Sequence, residues 1–176
     1  MLGADEDSEV YASNIRDYSS SIHDIIVTLN SRQLKHITHA IFWKAADGRS
    51  PDTGVNITSD SINKEVWTPR DGNNLEWCRN YLAALEKKGK KLVIQSEHCI
   101  VGTEGHAICA AVKAAVQEWA ETSLRPVQYL STGQSNLIEM YSALEAEVEN
   151  PHDPTTGFKN DLMASLRIAE KVSVDY

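Results

Sequence analysis

Apolar residues recur at helical spacing early in the chain. Tyr11, Ile15, Tyr18, Ile22, Ile25, Ile26 and Leu29 share one stripe, with polar residues between them, which is the 3.6-residue period of an amphipathic helix. The pattern predicts a helix over 9–31, behind an acidic leader over 1–8 and ended by Asn30 and Ser31. The period then changes. Residues 36–46 carry Ile37, Ile41, Phe42 and Trp43, the β-branched and aromatic content of a strand. The stretch DGRSPDTG over 47–54 concentrates turn formers and reads as a loop. Two short extended pieces, 55–58 and 62–67, follow it, so a three-stranded meander is expected.

Beyond a second turn at Thr68-Pro69-Arg70-Asp71-Gly72, the positions Cys78, Tyr81, Leu82 and Leu85 define one face of a helix over 73–88. Asp71 or Asn74 is placed to cap its start, and Gly89 suits its left-handed end. Leu92-Val93-Ile94 is a continuous apolar run of the kind found in a strand covered on both faces. A third helix opens at Thr103 and carries Ile108, Val112, Ala115, Val116 and Trp119 before Pro126 stops it. Leu137, Met140, Tyr141, Leu144 and Val148 predict a fourth helix, broken by Asn150-Pro151-His152-Asp153-Pro154. A last one carries Phe158, Leu162, Leu166 and Ala169. The sum is one α/β domain without internal repeats.

Composition agrees and narrows the chemistry. A chain of 176 residues, 41% hydrophobic and 24% charged, buries enough apolar surface to fold without staples. Lys plus Arg number 17 against 25 Asp plus Glu, a net charge of -8 that repels phosphate backbones and anionic lipid. Lys87, Lys88, Lys90 and Lys91 form a local basic cluster, which a helix C-terminus accounts for. Cys78, Cys99 and Cys109 have no CxxC spacing, which argues against a disulfide framework or a structural zinc site. The acidic start lacks an apolar run, so an intracellular protein, cytoplasmic or nuclear, is expected, and the sequon at Asn56 carries no weight.

The stretch NNLEWCRNYLAALEKKGKKLVIQSEHCIVG, residues 73–102, resembles the centre of a ribonuclease H domain, with Glu76 and Glu97 at two of that family's acidic positions. Upstream, Ile41-Phe42 and Asp47-Gly48-Arg49-Ser50 are similar to its first strand and turn, and 125–149 is similar to the helix before its last strand. The resemblance implies a ribonuclease H-like mixed sheet over 36–149, flanked by helices, with the N-terminal helix and a helical extension over 155–176 lying outside it. It also implies a metal-dependent nuclease acting on RNA or an RNA:DNA hybrid, with Asp47, Glu76 and Glu97 as catalytic residues and as ligands of Mg²⁺ or Mn²⁺. Two such cations, about 4 Å apart, need several converging carboxylates. Glu97 stands where the family has Asp, a methylene too long for tight octahedral geometry. Glu139 and Asp161 are the candidates for a fourth carboxylate. A pseudoenzyme follows readily from such a set. The alternative expectation is a non-catalytic interaction or assembly module, with the N-terminal helix docking a homo-oligomer or another protein.

Other constellations are weaker. On the strand expected over 36–46, His36 and His39 would fall on opposite faces, which forbids a shared metal. His106 and Cys109, at i, i+3, have the spacing of a thiolate and base pair, and equally of buried packing among alanines. Gly102-Thr103-Glu104-Gly105 lacks the Lys and the glycine spacing of a phosphate loop. Trp43, Trp67, Trp77 and Trp119 are scattered as core residues are.

Overall fold

The computed structural model describes residues 3–174. Helix α1 spans Gly3–Asp17 and ends before the serine triplet Ser19–Ser21. The chain then extends into β1, Ile26–Asn30, which pairs in parallel with β6, Gln128–Thr132, in the register Ile26 to Gln128 through Asn30 to Thr132. The helix expected over 9–31 therefore stops halfway. Its second half contains Ile25-Ile26-Val27-Thr28, a β-branched run whose side chains lose rotamer freedom in a helix and fit a pleated surface better.

The remaining strands are two-residue pieces. Antiparallel pairing joins β2, Trp43–Lys44, to β4, Thr68–Pro69, and β3, Asn56–Ile57, to β5, Leu92–Val93. Helix α2, Ser59–Asn63, opens with a reciprocal capping box between Thr58 and Ser61. The expected meander is thus corrected: consecutive strands do not pair with one another, and 36–42 is a turn followed by a short 3-10 segment rather than a strand.

Helix α3, Leu75–Lys87, forms as its sequence indicates. Asp71 accepts the Asn73 N–H to start the turn, Glu76 sits in the first turn and Lys87 in the last, and Gly89 takes the left-handed conformation at φ 70°. Its face of Cys78, Tyr81, Leu82 and Leu85 is buried against Ile37, Phe42, Trp43, Ile57, Ile62, Leu92, Ile94 and Ile138. Helix α4, Ala110–Ser123, packs against α1, and Arg16 reaches Glu118 across the contact at 2.6 Å. Residues 137–140, expected to open a fourth helix, instead thread through the core, where Ile138, Glu139 and Met140 are all buried, and just before them Asn136 O receives the Ile37 N–H. Helix α5, Asn160–Ile168, lies within the expected C-terminal extension.

The molecule is a mixed α/β structure of small sheets flanked by helices. Among the described residues no helix is long and apolar enough to cross a membrane.

Leu124 ends α4 in the left-handed region at φ 58° and is 89% exposed. A Cβ there costs about 1–2 kcal/mol and no packing compensates it. Leu124→Gly is expected to raise the unfolding free energy by about 0.5–1 kcal/mol in urea denaturation; a lower stability would contradict this account of the helix end.

Candidate functional site

A cluster of buried polar side chains lies past the carboxyl end of the parallel pair β1–β6, where ligands bind in open α/β sheets. Directly after β1 come Ser31 and Arg32, 3% and 4% exposed. Arg32 is fixed through its backbone: its N–H donates to Cys99 O and its carbonyl accepts the Val101 N–H, both at 3.0 Å. The loop after β5 is thereby drawn alongside, with Cys99 itself at φ 53°.

The Arg32 guanidinium is the hub. Its Nη2 donates to Glu139 Oε1 at 2.5 Å, and Nη1 donates to Gln95 Oε1 at 2.7 Å and His98 Nε2 at 2.6 Å, with Thr38 Oγ1 at 3.4 Å. Two further imidazoles close the cluster: the His36 and His39 rings lie 5.5 Å apart, and His39 lies 5.9 Å from His98. This follows from the turn at 36–39, where the His39 N–H donates to His36 O. A strand would have sent the two rings to opposite faces.

Hydrogen bonds assign the tautomers. His98 donates from Nδ1 to Ser96 O, so the Nε2 facing Arg32 is an acceptor. His39 donates from Nδ1 to Leu34 O, which leaves its Nε2 a lone pair. His36 Nδ1 accepts from the N–H and hydroxyl of Thr38, so its Nε2 carries the hydrogen. Burial, then the charge of Arg32, lowers His36 to about 3, and burial also lowers His39. Burial pushes Glu139 up to about 7 against the pull of Arg32. Five buried side-chain polar atoms lack a partner among the described residues, and three belong to this cluster: His36 Nε2, His39 Nε2 and Glu139 Oε2.

The carboxylates expected from the ribonuclease H resemblance stand elsewhere. Asp47 is in the exposed turn, where it accepts the Arg49 N–H and pairs with its guanidinium at 3.1 Å. Glu76 is an exposed residue of the first turn of α3, and Glu97 is exposed beside His98. Among the described residues no group of three or more His, Cys, Asp or Glu is placed to hold a metal ion. Glu139, considered as a fourth metal ligand, faces a guanidinium instead. His106 lies against Ser31, Nε2 to Oγ 2.9 Å, and Cys109 is exposed at the start of α4. Arg32, the centre of the arrangement, carries no motif, and only its place after a β-branched run could have marked it.

His36 fixes a sign for pH dependence. Its pKa is 6.5 when unperturbed and about 3 in the fold, so the unfolded chain binds the extra proton between those values. The contribution of His36 is full above pH 6.5 and drains away as pH falls toward 3. Glu139 opposes it: raised from 4.5 to about 7, its contribution is full below pH 4.5 and is lost as pH rises through 7. Relative to His36→Phe, the native chain is expected to lose stability on acidification from about pH 6 to pH 4 more steeply, by about 1 kcal/mol per pH unit. Parallel denaturation curves for the two proteins across that window would show that His36 is not held neutral.

No protein-family model and no curated protein sequence matches the chain. A solved structure similar to it is that of the yeast nicotinamidase Pnc1p bound to the inhibitor nicotinaldehyde, with 16% identity and a TM-score of 0.46, covering 80% of this chain and 51% of that one. The chain thus spans about half the length of that protein. The strand pairing described above corrects the ribonuclease H reading and the nuclease inferred from it: the described strands form three separate two-stranded pairs, 36–42 is not a strand, and the expected meander is not found.

Proposed function

We propose that the chain is a small-molecule-binding domain whose ligand is held at the carboxyl end of β1 and β6 by a primary carboxamide group. One observation carries this reading: the unpartnered atoms of His36, His39 and Glu139 sit in a cluster whose other polar atoms are paired. A buried polar atom left without a hydrogen bond costs about 1–3 kcal/mol, and folded proteins keep few of them. Their occurrence in one cluster supports a site completed by a ligand.

The inventory specifies what completes it. His39 Nε2 and the ionised Glu139 Oε2 accept, and His36 Nε2–H donates. The complement is two donors and one acceptor in a small planar group, which a primary carboxamide supplies with its NH₂ and C=O. A carboxylate offers acceptors only and meets Glu139 with like charge. Burial favours a neutral ligand.

Titration calorimetry with acetamide and benzamide against acetate and benzoate tests the proposal. At pH 7.5 the amides are expected to bind at least tenfold more tightly than the matching acids, and Glu139→Gln and His39→Phe each to weaken them by about tenfold, or about 1.4 kcal/mol. Equal affinity for amide and acid, or amide binding unchanged in both variants, would refute the proposal.

A further inference from the structure

We propose a second binding site, independent of the polar cluster, in the cleft between α1 and α4, for a flat uncharged ring compound bearing one hydrogen-bond acceptor. The cleft has a volume of about 280 Å³ and is lined by Ile15 and Arg16 of α1 and by Ala115, Glu118, Trp119 and Thr122 of α4. Its size approaches the lower end of the range usual for small-molecule pockets.

Each property of the ligand comes from a wall. Ala115 and Trp119, 1% and 2% exposed, form the apolar floor of the cleft. Trp119 Nε1–H is shielded from solvent and has no acceptor, in contrast to Trp43, which donates to Ile37 O, and Trp77, which donates to Leu137 O. A donor with that unmet demand selects a ligand carrying a carbonyl or similar oxygen. Arg16 and Glu118 satisfy one another at the rim through two contacts, at 2.6 and 3.3 Å, so the cleft presents no uncompensated charge and a neutral molecule fits it best. Thr122 already donates to Glu118 O, so its hydroxyl does not compete for the ligand's acceptor.

The test is a ¹H–¹⁵N titration of the full chain with 1-indanone, following the four indole N–H signals, with Trp119→Phe used to assign one of them. A saturable downfield shift of the Trp119 signal is expected, with Kd below about 1 mM and no movement of the Trp43 signal. Thr122→Phe, which changes an exposed rim residue, is expected to weaken binding at least tenfold while leaving the spectrum of the core unchanged. Ser19→Phe closes the opposite rim and provides a second variant with the same expected loss. Absence of a saturable shift, or binding that survives in both folded rim variants, would overturn the proposal.

Discussion

Burying the Arg32 guanidinium is the constraint around which the carboxyl end of the β1–β6 pair is organised. A charge moved from water into an interior carries a desolvation penalty of several kcal/mol, which mutual attraction offsets only when the geometry is good and the remaining donors are satisfied. Here Glu139 supplies the opposite charge and Gln95, His98 and Thr38 take the remaining contacts. These partners come from the turn after β1, the loop after β5 and the segment threaded through the core at 137–140. One side chain thus fixes three stretches that share no regular secondary structure.

Burial and the same charge together set the protonation of the surroundings. Burial disfavours a second cation here, and the guanidinium disfavours it further, so the imidazole of His36 is held neutral. Because His98 offers its lone pair to Arg32, that nitrogen has no lone pair left for a metal. The chemistry of the cluster is therefore that of neutral donors and acceptors surrounding a fixed ion pair.

Much of the fold could be read where the determinants are local. Helix α3 forms as expected because its cap, buried face and terminal glycine lie within twenty residues of one another. Strand β1 was not legible, since Ile22, Ile25, Ile26 and Leu29 satisfy a helical period as well as their β-branched neighbours suit a strand, and only β6 decides between them. Leu137, Met140 and Tyr141 misled in the same way: their spacing is helical, yet Ile138 and Glu139 are buried too, which an extended passage through the core permits. The site was hidden for a related reason. His36 and His39 looked divergent only while they stood on a strand, and Glu139 was counted as a carboxylate for a metal when its counter-ion is Arg32, 107 residues earlier.

The parallel pairing of β1 with β6 also dictates an order of events. Asn30 and Thr132 are 102 residues apart, and closing so long a loop costs entropy that only contacts made after closure can return. Helix α3 and the capping box of α2 need no such closure, so they can form and dissolve many times before the two strands meet. Arg32 stands at the end of the later-joined strand, and its charge leaves water only when that junction closes. Ile138 and Met140 of the core and Glu139 of the site all follow β6, so core and site draw on the same distant stretch of chain.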